Sequence, residues 1–134
     1  MGSGAGMGLS ALVDSSVSRS LPISGERPID LVHLARMTLG DRSLEREVLE
    51  LFDRQAGMLI VRMQQAARAG ICAAAHTLKG SARGIGAWRV ARAAEAVELA
   101  AGSAAELELE AAIVRLGAAA AETRAVIADL LQPN

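Results

Sequence analysis

From Pro28 to Pro133 the apolar residues recur at helical spacing and no proline interrupts them, which is what a bundle of helices requires. A short first helix is predicted from about Asp30 to Leu39, with Leu31, Leu34, Ala35 and Thr38 as its inward stripe and Gly40 as its stop. Asp41 or Ser43 then caps a long second helix, and Glu45 and Glu47 suit its positive end. Its stripe reads Leu44, Val48, Leu51, Phe52, Leu59, Met63 and Ala66, and Gly70 ends it. The third helix, Ile71 to about Gly84, has the cleanest pattern: Ile71, Ala74, Ala75, Leu78, Ala82 and Ile85 fall at i, i+3, i+4, i+7, i+11 and i+14. A fourth helix follows from Ala87 to about Ala101, striped by Val90, Ala91, Ala94 and Val97. After Gly102-Ser103, a fifth runs to about Leu131 with Leu109, Ile113, Leu116, Ala120, Ile127 and Leu130 on one side. Short connections between long amphipathic helices make antiparallel neighbours. The fold class is all-α: an up-down antiparallel four-helix bundle with a short additional N-terminal helix.

Residues 1–26 hold no sustained period and are rich in Gly and Ser. They are assigned to a flexible leader, and 27–134 to the bundle. At 134 residues the chain is one domain's worth. Alanine supplies much of its 51% hydrophobic content, and only Phe52 and Trp88 are aromatic. A net charge of −1 with so few aromatics provides neither a basic field nor a stacking platform for nucleic acid. One cysteine, Cys72, excludes a disulfide within the chain and a cysteine-built zinc cage. No apolar run reaches the roughly 18 residues of a membrane span, and no secretory signal is present, so the expected setting is cytoplasmic. A balanced surface around one core makes a monomer the default.

Unrolled at about 100° per residue, the third helix turns His76 away from its apolar stripe, with Cys72, Lys79, Gly80 and Arg83 on the same face. Lys79 is the one lysine among 14 basic residues. Gly80 costs about 1 kcal/mol against alanine within a helix, so in a chain this rich in alanine its presence suggests that something must come close to the imidazole. A neutral imidazole is a good nucleophile, and a lysine at i+3 can stabilise a phosphoryl group brought to it. That chemistry needs a group that holds the ring in one tautomer. Glu95 and Glu98 of the fourth helix are both placed to reach back, and spacing leaves the choice open. Cys72 and His76, at i and i+4, make at most half a metal site with no second pair beside them.

The run Ala75-His76-Thr77-Leu78-Lys79-Gly80-Ser81-Ala82, then Gly86-Ala87 and Val97-Glu98, resembles the histidine-containing phosphotransfer (HPt) domain family over about residues 28–131. The resemblance implies that His76 is the phosphoacceptor and that Lys79 assists the phosphoryl group. It further implies that Gly80 keeps the site open, that Ser81 supports the helix, and that Glu98 orients the imidazole. Such domains shuttle phosphoryl groups between receiver-domain aspartates of response regulators and (hybrid) histidine kinases. They have no kinase activity, bind no nucleotide and carry no cofactor; Mg2+ is expected on the partner receiver. Docking is expected around His76, on Thr77, Gly80, Arg83 and Gly84 of the third helix and Gln55, Met58, Arg62 and Gln65 of the second. Three departures stand out: a helix start about one turn closer to His76 than usual and lacking the customary Asp, Arg83 where a small residue is common, and Val97 for leucine. The alternative function is a non-catalytic helical module that binds a receiver or another signalling partner.

Overall fold

The computed structural model describes residues 26–103 and 105–133, so apart from Glu26 the assigned leader lies outside the described residues. Five helices follow in order: α1 (Leu31–Thr38), α2 (Arg42–Gln65), α3 (Arg68–Ile85), α4 (Trp88–Ser103) and α5 (Glu106–Leu131). No strand occurs among the described residues. Two-residue connections link α2 to α3, α3 to α4 and α4 to α5, which forces each pair antiparallel. The long helices form a ring in which α3 packs on α2 and α4, and α5 on α4 and α2, while the diagonal pairs scarcely meet.

Much of the core is alanine. Ala56, Ala75, Ala82, Ala87 and Ala94 are fully buried beside Leu78, Val90, Val97 and Leu116. Such small residues let helix axes approach closely, and the close approach replaces the missing aromatic volume.

The registers of α3, α4 and most of α5 follow the predicted stripes, while α1 and α2 follow theirs in part: Leu34, Thr38, Phe52, Leu59 and Met63 are buried as expected, with Val48 and Ala66 packed against the core. In α2 the buried set is Leu49, Phe52, Ala56, Leu59 and Met63, whereas Leu44 and Leu51 are exposed. The helix has apolar residues on both faces, and the stripe containing Ala56 is the one that meets α3 and α5. In α1 only Leu34 and Thr38 are buried, with Leu31 and Ala35 facing outward. In α5, Leu130 is exposed and Ile113 half-buried, while Ala112 and Thr123 complete the inner face.

The boundary between α2 and α3 also differs from the expected one. α2 ends at Gln65 and α3 begins at Arg68, so Gly70 lies in the first turn of α3 rather than closing α2. A Cβ on Gly70 would come within 3.0 Å of Ala66 Cβ, so glycine serves the tight crossing here and is not a stop signal. Arg68 explains the earlier start: its Nη1 donates to the carbonyls of Ala100 and Ala101 at 3.3 Å, and Nη2 lies 3.6 Å from Glu106. That guanidinium satisfies carbonyls near the end of α4. The helix carrying His76 therefore regains the turn that appeared to be missing.

α1 is held by polar contacts more than by its stripe. Asp30 caps it through Oδ1, which accepts from His33 N at 3.0 Å, while Oδ2 accepts from Trp88 Nε1 at 3.0 Å. The amide of Asp30 donates to Gly86 O at 2.9 Å, and the His33 ring meets Trp88 edge-on at 4.8 Å between centroids. Gly86 is left-handed (φ 82°), and a Cβ there would sit 3.0 Å from both the Cβ and the carbonyl oxygen of Asp30. Only glycine meets both demands. Glu26, placed in the leader by composition, pairs with Arg92 of α4.

Candidate functional site

On α3 the imidazole of His76 stands clear of the core, with its side chain 67% exposed. α4 runs antiparallel alongside and brings Glu98 level with it. His76 Nδ1 lies 2.8 Å from Glu98 Oε2, and Lys79 Nζ lies 2.8 Å from Glu98 Oε1. The lysine contact is an ion pair across the α3–α4 seam. One carboxylate thus takes both neighbours, one on each oxygen. Glu95 is exposed and makes no such contact.

This arrangement selects the tautomer of the neutral ring. Lys79, foremost, and then His76 hold the Glu98 carboxyl below its ordinary value, against a smaller upward push from burial. An ionised carboxylate only accepts, so Nδ1 carries the hydrogen and donates it. In the neutral ring Nε2 then holds the lone pair, and the ring is mostly in solvent. The site presents an outward-facing imidazole with a carboxylate behind it and a cation one turn away, an arrangement in which a neutral ring can act as a nucleophile.

Lys79 does not stand free in solvent beside the histidine, as the helical wheel placed it. Its side chain is only 14% exposed because the stem lies along the α3–α4 seam to reach Glu98. Cys72 also turns toward α4, its Sγ 3.8 Å from the Glu98 carbonyl oxygen. Among the described residues no group of three or more His, Cys, Asp or Glu side chains is arranged to hold a metal ion.

Around the imidazole the surface is low. Gly80 and Gly84 have nothing within 4 Å of where a Cβ would be, so no contact within the chain demands glycine at either position. Thr77 is exposed and returns its hydroxyl to Ala73 O at 3.1 Å. Ser81 is half-buried, and its hydroxyl makes no hydrogen bond among the described residues. Arg83 is exposed. On α2, Met58, Arg62 and Gln65 gather in an open cleft of about 840 Å³ with Arg54, Val61 and Arg124, while Gln55 is half-buried outside it. This cleft is lined from α2, the following Ala66 and Arg124 of α5, and no residue of α3 lines it.

The bundle offers one exposed imidazole, backed by a carboxylate and bordered by open glycine surface. The chain matches the Hpt domain family over residues 46–132 and belongs to that family. The match begins within the first turns of α2 and leaves α1 outside it. No curated protein and no solved structure gave a significant match. Membership implies a phosphotransfer role in two-component signalling. No helix among the described residues is long and apolar enough to cross a membrane.

Proposed function

We propose that this chain is a phosphorelay intermediate that accepts a phosphoryl group on Nε2 of His76 from the aspartyl phosphate of one receiver domain and passes it to the aspartate of another. The observation that carries the reading is the 2.8 Å hydrogen bond from His76 Nδ1 to Glu98 on an otherwise exposed ring. Nε2 attacks phosphorus, the bond from phosphorus to the aspartate oxygen breaks, and the receiver recovers its carboxylate. The proton on Nδ1 stays in place, so positive charge develops on the imidazole and Glu98 stabilises it. Lys79 exchanges one oxygen of Glu98 for an oxygen of the arriving phosphoryl group. The reverse sequence returns the group to a second receiver. A Mg2+ ion belongs to the receiver's acidic site, and this chain contributes no ligand to it.

The receiver docks over α2 and α3, with Gly80 and Gly84 admitting its backbone close to the ring. Thr77 and Arg83 flank that opening, and Met58 and Arg62, with Gln55 beside them, extend it onto α2. Such an interface is modest and transient, as a relay that must release each partner demands. A (hybrid) histidine kinase is the upstream partner.

Mixing the protein with a phosphorylated receiver tests the reading. An acid-labile phosphoryl label on the wild type and none on His76→Gln is the expected result. A label that survives His76→Gln overturns it. Receiver binding without any transfer, equal in wild type and His76→Ala, replaces it with a non-catalytic interaction module.

A further inference from the structure

α5 carries two apolar faces where a helix at the edge of a bundle needs one. The inner face is built on Leu109, Leu116 and Ile127, which are buried against the other helices. On the opposite face Leu107, Ala111, Val114, Ala118, Ala121 and Ala125 are all exposed, with Leu107 at 77% and Val114 at 71%. No charged residue interrupts this line. By contrast, the outward face of α4 presents Arg92 and Glu95.

The outer line advances by 4, 3, 4, 3 and 4 residues. That is the 3.5-residue period of a seam built to lie along a second helix. Its flanks select the partner. In a parallel, in-register pair of identical helices, the residue just before one seam position faces the residue five further on in the other chain. Glu110 then meets Arg115 of the second copy, and Arg124 meets Asp129, each twice by symmetry. The remaining position sets Gly117 against Glu122, so no like charges meet. Arg124 already lies 2.7 Å from Asp53 and Glu122 lies 3.1 Å from Arg89, which leaves Glu110 and Arg115 as the pair that discriminates.

We infer that α5 is a self-association surface, and that two copies of this chain pair through it in parallel to form a weak symmetric dimer. The seam is about 27 Å long at 1.5 Å per residue and a helix is about 10 Å across, so the two facing strips cover about 540 Å² in projection. That falls below the roughly 1,000 Å² of a stable interface and sets the dimer among weak, reversible ones. α5 packs on α2 and α4 and scarcely meets α3, so both His76 faces point away from the dimer axis and remain open to receivers.

Sedimentation of the full chain over a range of concentrations tests this inference. The wild-type mass is expected to climb from 13.8 kDa toward twice that value as protein passes the order of 100 μM. Ala118→Glu, which places a carboxylate on an exposed seam position, and Glu110→Arg are each expected to hold the mass at 13.8 kDa with helical content unchanged. Combining Glu110→Arg with Arg115→Glu is expected to restore the dimer. A wild type that stays monomeric into the millimolar range overturns the inference, as does a dimer that survives Ala118→Glu or a charge swap that fails to restore it. Labelling of His76 is expected to proceed equally in wild type and Ala118→Glu.

Discussion

Lys79 Nζ lies 2.8 Å from Oε1 of Glu98, so the cation closest in sequence to His76 is already engaged by the carboxylate that the imidazole also meets. The carboxylate that orients the ring is therefore also the resting place of the lysine. This coupling makes Glu98→Gln informative. A glutamine carbonyl still accepts from Nδ1, but it has no charge for Lys79 or for the imidazolium that forms during transfer. We expect transfer to slow by about 10- to 100-fold with the fold intact. Lys79 should at the same time become more reactive toward an amine-modifying reagent. Unchanged reactivity would show that Glu98 does not hold the lysine.

Lys79→Arg tests the shape of the cation rather than its charge. The ammonium is a compact point charge on a stem that is 14% exposed, whereas a guanidinium is planar and prefers both oxygens of one carboxylate. Arginine should bind Glu98 in a fork and release it less readily. We expect transfer about tenfold slower and thermal stability unchanged or slightly higher. A rate equal to wild type would assign Lys79 a purely electrostatic part.

Gly80→Ala separates stability from function. A Cβ at this position meets nothing within 4 Å, and alanine is the better helix former. Urea denaturation should show a gain of about 0.5–1 kcal/mol. Transfer from a receiver should fall about tenfold, because the methyl group stands where the partner must approach the ring. A stabilised protein with undiminished transfer would mean that glycine here is not reserved for docking.

Which residues share the face of His76 was more legible than the packing around them. His76, Lys79 and Gly80 share one helix, and the period of α3 orients that helix without ambiguity. The partner carboxylate required the register of α4 against α3, which spacing left open between Glu95 and Glu98. The wheel also could not show Lys79 folding down to Glu98, because a long flexible stem can lie in several directions from one Cα. In α2, Phe52, Leu59 and Met63 are buried as the stripe predicts, but Leu44 and Leu51 only look like core residues, while Ala56, fully buried, has too short a side chain to announce itself. Gly70 misled for a similar reason. Glycine marks a stop and a close approach with the same letter, and only the 3.0 Å to Ala66 Cβ distinguishes them.

The end of α1 stores avoidable strain. Leu39 is left-handed at φ 55°, followed by Gly40 at φ 74°, and its side chain is 92% exposed. A β-carbon in this conformation costs about 1 kcal/mol, and an exposed leucine returns little packing to offset it. Leu39→Gly should raise stability by about 0.5–1 kcal/mol in urea denaturation without affecting transfer. A loss of stability would instead reveal a contact made by this leucine.

The polar clasp on α1 should open in acid. The indole N–H of Trp88, followed by the backbone N–H of His33, holds the Asp30 carboxyl below its ordinary value of 3.8. A carboxyl whose folded value is depressed contributes stability in full above its unfolded value and loses it as the pH falls through the folded one. The docking of α1 should therefore be constant from neutral pH down to about pH 4 and weaken below that. Glu26, lowered chiefly by Arg92, anchors the same segment and titrates in the same direction. Trp88 is the sole tryptophan and lies against His33, so its emission reports the clasp directly. A fluorescence titration should show one acid transition, accompanied by faster amide exchange in α1. Asp30→Asn should lower the protection of α1 already at neutral pH and shrink the transition to the part owed to Glu26. A full-sized transition in Asp30→Asn would place the acid sensitivity elsewhere in the bundle.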